Sequence, residues 1–283
     1  MSNEIALKEK KERLWADFAL DTLGRKEPSG AERRKAEAYC GARRLAIELE
    51  FEPTGKRESY VKKYLELVDS FAGILKGEGG MAGCDFGTGK NIFGLIPMEE
   101  KKKLQEDLIS AIWGVLYGNL NVTYGGSRSG FLRDSLDTGS WDCDNSSTLV
   151  FDVAREVGVP VEMVIVPGHA LVKTNDFFFE TTSKGNPVYY PADRLYTRYP
   201  VIYAITSELE VVDAVAYSNR GTAYFNEAGY DMAIKDFDRA IGLLPKYADA
   251  YKNRSLAYFF RGEYEKARQD EEKAKEILRL MKE

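Results

Sequence analysis

The sequence predicts an α+β protein with a helical N-terminal region, a central part holding a small antiparallel sheet, and a C-terminal pair of helical repeats. Three observations predict it. Apolar positions recur at intervals of three and four through residues 4–76, the spacing of one helix face. Runs of β-branched and apolar residues at 161–166, 170–173 and 177–182, separated by turn residues, then replace that spacing. From Ala214 onward the chain repeats itself every 34 residues. The boundaries that follow are 1–96, 97–206 and 207–283.

Composition narrows the function classes. With 44% hydrophobic and 30% charged residues, the chain is expected to be globular, and no apolar run approaches the roughly 18 residues of a membrane span. Its first dozen residues are charged and periodic rather than signal-like, so a cytoplasmic location and no membrane partner are expected. Cys40, Cys84 and Cys143 have no paired spacing, which argues against a disulfide framework and a zinc site. No metal or cofactor is expected. A net charge of −5 offers no broad basic surface, and nucleic acid is not an expected partner.

Residues 4–76 read as three helices, the second opened by the capping box Ser29-Gly-Ala-Glu32. The glycine-rich stretch after Lys76 reads as a linker. Its Gly89-Lys90 does not complete a phosphate loop, because Cys84 stands where glycine is needed and Asn91 where Ser or Thr is needed. A helix over 98–118 carries Leu104, Leu108, Ile112 and Leu116 on one stripe, and a second glycine-rich loop follows. The next helix opens at Cys143 and runs to about Val157, stopped by Gly158 and Pro160. Positions 143, 146, 147, 150, 153, 154 and 157 share one face, which puts Cys143 at the top of a buried stripe.

The strands supply a register. If Asn175-Asp176 is a two-residue turn, Leu171 faces Glu180 and His169 faces Thr182. His169 and Glu180 then share a face as diagonal neighbours, with Cα atoms about 7–8 Å apart, within reach of a carboxylate–imidazole hydrogen bond. His169 is the chain's one histidine. A cysteine at a helix start, an imidazole and an orienting carboxylate are the parts of a nucleophile–base–acid set. The helix start favours a Cys143 thiolate, whereas Asp142 and Asp144 oppose it, and the sequence leaves that balance open. An activated thiol is expected to titrate below the free value of about 8.5. Trp141 and Tyr124 are candidates to line a substrate cleft, and Arg128 to face a substrate carboxylate. Each has a plainer reading, as a seam-filling aromatic or a solvated loop arginine.

The repeat pairs Tyr217/Tyr251, Asn219/Asn253, Arg220/Arg254, Ala223/Ala257, Tyr224/Tyr258 and Tyr230/Tyr264, and its first copy places Gly221, Phe237 and Pro245 as a tetratricopeptide repeat does. The second copy has Ser255, Glu271 and Arg279 there instead. Two repeats bury too little to stand alone, so their apolar faces are expected to dock on the rest of the chain, as core packing or as the wall of a peptide-binding groove.

The order of helix 98–118, a Tyr-Gly-Gly loop, Gly-Ser-Trp-Asp-Cys143, Val-Gly-Val-Pro, Pro-Gly-His169-Ala-Leu-Val and Glu180-Thr-Thr resembles the transglutaminase-like domain, of the papain-like cysteine-protease fold, over roughly residues 98–206. The resemblance implies Cys143 as nucleophile, His169 as general base and acid, and Glu180 as the orienting acid. It implies thiolate attack on a protein or peptide amide, an acyl-enzyme, and release to water or an amine. The sequence departs from the common pattern in having Glu180 where Asp is usual and Leu171 where Trp often follows the histidine. Relatives with repeats include some with an incomplete triad, which implies the alternative of a noncatalytic scaffold that holds a peptide partner through its repeats.

Overall fold

Two helices, α1 (Cys40–Glu48) and α2 (Thr54–Lys76), open the part of the chain that the computed structural model describes, namely residues 39–76, 130–174, 177–181 and 188–282. Then come α3 (Leu132–Thr138), α4 (Cys143–Glu156), β1 (Glu162–Val166), β2 (His169–Lys173), β3 (Phe177–Glu180) and β4 (Val188–Pro191). A short 3-10 turn, α5 (Leu195–Arg198), β5 (Ala204–Thr206), α6 (Leu209–Asn226), α7 (Tyr230–Leu243), α8 (Ala248–Phe260) and α9 (Tyr264–Leu280) complete it. This is a mixed helix and sheet architecture. The capping box at Ser29, Cys84, Gly89-Lys90, helix 98–118, Tyr124, Arg128 and the Asn175-Asp176 turn lie outside the described residues.

Helix α4 is the hub. Asp142 starts it by accepting the Asn145 N–H at 2.8 Å, the N-cap bond that satisfies an otherwise free donor. Gly158, at φ +77°, ends it. Every residue from Asn145 to Ala154 is buried, so the single stripe expected from spacing is too narrow a description. Helices α1 and α2 cover one side of it and the sheet covers another.

The burial forces its polar side chains to find partners. Asp152, fully enclosed, accepts the N–H groups of Cys40 and Gly41 and the Tyr64 hydroxyl, each at 2.8 Å. It thereby caps the start of α1, where the helix's positive end favours a carboxylate. Gly41 is required here, since a Cβ would fall 2.0 Å from the Tyr64 ring. Glu48, at the other end of α1, accepts the N–H groups of Leu132 and Arg133 and so starts α3. That seven-residue helix was hidden within an expected glycine-rich loop; it is too short to show a periodic pattern.

The five strands run β4-β3-β2-β1-β5, each antiparallel to its neighbours. Val166 pairs with His169 across Pro167-Gly168. Val172 opposite Phe179 and Lys173 opposite Phe178 are the register that a two-residue turn requires. Strands β4 and β5, of four and three residues, were not expected; Pro191 suits an edge strand, having no N–H to donate. Met163, Ile165, Ala170, Val172, Phe177 and Phe179 face the main core. Val164, Val166, Leu171 and Phe178 form a second cluster with Leu195. Both faces being covered explains why these strands read as continuous apolar runs.

The two repeat copies fold as the helix pairs α6/α7 and α8/α9, packed against α1 and the sheet. Gly221 stands where a Cβ would meet the Phe237 ring at 2.8 Å. In the second copy Glu271 replaces that phenylalanine and leaves room for Ser255, whose hydroxyl donates to Ala267 O at 2.7 Å. Docking is polar as well as apolar. Arg43 meets Asp213 through Nε at 3.2 Å, and Arg220 binds Asp236 at 2.7 and 2.8 Å and also the Ile47 carbonyl and Glu50. One apolar cluster runs from Tyr39 to Ile277 across the expected boundaries. No helix of the described residues is long and apolar enough to cross a membrane.

Asp152→Ala strands three buried donors, and we expect a loss of roughly 3 kcal/mol or more in unfolding free energy by urea titration. An unchanged midpoint would show that α1 does not depend on this cap.

Candidate functional site

The site begins where the β2/β3 ladder stops. Pairing is confined to Val172/Phe179 and Lys173/Phe178, and the first turn of α4 enters the opened end. Ser147 Oγ donates to Ala170 O at 3.0 Å and lies 3.0 Å from Thr181 Oγ1. Thr181 Oγ1 in turn donates to Cys143 O at 3.4 Å. The Ala170 N–H is directed at the Cys143 sulfur. Side chains on α4 thus supply what the missing strand partners would have supplied, and Cys143 sits at the rim of the sheet beside Ala170, the residue that follows His169.

His169 and Glu180 meet as the register requires. The imidazole Nε2 lies 2.8 Å from Glu180 Oε2. Glu180 also accepts from Arg198 Nε at 3.2 Å and from the Tyr199 hydroxyl, and Tyr199 stacks at a tilt beside the His169 ring at 6.1 Å. Burial works to raise the Glu180 carboxyl, but the hydrogen bonds from His169, Tyr199 and Arg198 outweigh it and hold the group at about 2. Glu180 is therefore ionised and can only accept. Nε2 must carry the hydrogen of a neutral ring, which leaves the lone pair on Nδ1 for a second partner.

Cys143 is half-buried. Burial, reinforced by Asp144 and Asp142, pushes its thiol well above the ordinary range despite the Ala170 N–H. Its hydrogen goes to Asp144 Oδ1 at 3.6 Å, a weak contact, and not to His169. The balance that the sequence left open thus falls on the side of the neutral thiol: desolvation and two adjacent carboxylates outweigh the helix end. Asp144 is itself held from the repeats, its Oδ2 accepting Asn219 Nδ2 at 2.9 Å.

Trp141 does not line a cleft. It is 2% exposed and belongs to the main core, the seam-filling alternative, because the loop from α3 to α4 turns its ring inward. Cys40 is buried and its thiol is likewise pushed up by desolvation and Asp152. Arg198, Tyr199 and Asn219 were missed, because each acts through a partner outside its own stretch of chain and carries no local pattern. Asp144 was read only as a charge opposing the thiolate, and its tie to Asn219 was not foreseen. Among the described residues, no group of three or more His, Cys, Asp or Glu side chains converges to hold a metal ion.

Because Glu180 titrates at about 2 in the folded chain, below its ordinary 4.5, folding favours its ionised form. That contribution is fully present above pH 4.5 and is lost as pH falls toward about 2. Glu180→Gln is expected to cost roughly 2–3 kcal/mol near neutrality, by denaturant titration, with a gap that closes in acid. A gap independent of pH would contradict this assignment.

Comparison of the chain with protein-family models, with curated protein sequences and with solved structures returned no match.

Proposed function

We propose that the protein is a cysteine-dependent amide hydrolase or acyltransferase, with a transglutaminase-like centre made of Cys143, His169 and Glu180. The observation that carries this reading is the 2.8 Å contact of His169 Nε2 with an ionised Glu180, one residue from the Ala170 N–H that approaches the Cys143 sulfur. The carboxylate fixes the ring so that Nδ1 is free to take a proton.

The raised thiol supports one of two forms of the mechanism. A preformed thiolate–imidazolium pair requires a thiol that titrates low. A neutral thiol requires its proton to pass to His169 Nδ1 as the sulfur attacks. We assign the second form. The S–H leaves Asp144, the sulfur bonds to the acyl carbon, and the imidazolium returns the proton to the departing amine. Water or an acceptor amine, deprotonated by the same ring, then attacks the thioester carbon; the C–S bond breaks and the imidazolium returns the proton to the departing sulfur. The Asn145 N–H is held by the Asp142 cap, so we assign the Cys143 and Asp144 N–H groups as the donors for the developing oxyanion. The substrate class is a protein or peptide amide, as the resemblance implies.

A noncatalytic scaffold is the second reading, and one observation favours it: the thiol hydrogen is engaged by Asp144 rather than by the ring. In that case the two tetratricopeptide-like copies carry the function by holding a peptide.

p-Nitrophenyl acetate separates the two without a known substrate. Sulfur attack on the ester forms an acetyl thioester and releases p-nitrophenolate. The enzyme reading expects acetylation of Cys143, located by peptide mass spectrometry, and a rate lowered roughly 10²-fold or more in His169→Gln. Acetylation that is indifferent to His169, or that reaches Cys40 as fast as Cys143, would sink it.

A further inference from the structure

The turn that launches β2 is gripped from the repeats. Gly168, at φ +65°, donates its N–H to Asp249 Oδ2 at 2.9 Å across 81 residues of chain. The other oxygen of that carboxylate accepts the Tyr203 hydroxyl at 3.0 Å, and the Tyr203 N–H donates to Ile165 O of β1 at 2.8 Å. Asp249 stands in the first turn of α8, where the helix's positive end favours its charge. One carboxylate therefore holds the end of the hairpin twice, at the turn and through Tyr203.

The β1/β2 ladder pairs Val166 with His169 at the foot of the turn; beyond that ladder, nothing lies within 4 Å of the place where a Gly168 Cβ would stand, and the Asp249 contact is the added restraint at Gly168 itself. His169 is the next residue. A small swing of a two-residue turn is passed directly to the ring, and the 2.8 Å contact with Glu180 tolerates little of it, since hydrogen bonds weaken steeply with angle and distance. The cysteine side is tied to the same helices, through Asn219 of α6 and Asp144.

We infer that Asp249 is a positioning residue for His169: the repeat helices, through this carboxylate, fix the turn from which the imidazole is presented to Glu180 and Cys143. The inference rests on the reading of those three residues as a reacting set. It makes the repeats a structural part of the site rather than an appendage.

The test compares Asp249→Ala, Asp249→Glu, Asp249→Asn and Tyr203→Phe in the full chain, with two readouts. The first is the imidazole Nε2–H proton resonance, unambiguous because His169 is the one histidine. The second is the rate of Cys143 acetylation by p-nitrophenyl acetate. Asp249 is 24% exposed at its side chain, so both charge-altering and length-altering variants are expected to fold. In Asp249→Ala and Asp249→Glu the Nε2–H signal is expected to be lost to solvent exchange and acetylation to fall roughly tenfold or more. Asp249→Asn keeps an oxygen for the Gly168 N–H, and Tyr203→Phe leaves that bond untouched; both are expected to retain the signal and most of the rate. A purely structural role would instead lower stability in Asp249→Ala and Tyr203→Phe alike and leave the ring signal intact in both, and that result overturns the inference. If His169→Gln reacts at the wild-type rate, the reacting-set reading falls, and the Nε2–H signal still decides whether Asp249 holds the ring.

Discussion

A helix with almost no water on its surface governs this molecule. Helix α4 is enclosed by α1, α2 and the sheet, and an enclosed polar group costs free energy unless it is paired. Its polar side chains consequently dictate where its neighbours lie. Asp152 fixes the start of α1 and the Tyr64 hydroxyl, Asn145 holds Ser135 at 2.8 Å, Ser147 holds β2 and the end of β3, and Asp144 holds Asn219 of the repeats. Two atoms, Asn145 Oδ1 and Ser146 Oγ, are buried without a partner. Thr148 turns its hydroxyl back to Asp144 O of the same helix at 2.7 Å, while Asp152, Asn145 Nδ2 and Ser147 join α4 to the elements around it.

The position of Cys143 follows from that wedge rather than from helix-end electrostatics. The strands separate past Val172, and the first turn of α4 fills the space, which brings a sulfur to the rim of a sheet whose next residue is the imidazole. The same enclosure raises the thiol, and the two flanking aspartates add to it. The acid at Glu180 behaves in the opposite way: three donors from β2 and the segment at 198–199 keep it charged although it is largely enclosed. Under the proposed reading, the ring is prepared in advance by Glu180 while the thiol stays neutral.

What could be read from residues alone divides along physical lines. The hairpin register was available because side-chain alternation has a fixed period and one turn length sets it, so the meeting of His169 with Glu180 followed from parity. The C-terminal end of α4 was available from Gly158 and Pro160, each acting within a few residues, whereas the Asp142 cap at its start was not read. The 34-residue period announced two helix pairs, and the swap of Gly221 and Phe237 for Ser255 and Glu271 shows the second copy adjusting locally. The state of the Cys143 thiol was not available, because it depends on how deeply α4 is covered. Nor were β4, β5, Arg198, Tyr199, Asn219 and Asp249, whose roles are defined by partners distant in the chain. Trp141 shows the converse: an aromatic beside a glycine-rich turn suits a cleft or a core equally well, and only packing distinguishes them.

The central claim is that the Cys143 sulfur and the His169 ring open onto the same space. 1,3-Dibromoacetone tests it most directly, since displacement of one bromide by the thiol leaves a three-carbon arm that reaches only a nucleophile close by. The expected product is a single peptide pair bridged from Cys143 Sγ to a ring nitrogen of His169, formed with loss of both bromides and absent in His169→Gln. Alkylation of Cys143 with His169 left unmodified and the second bromide lost to water would contradict the account.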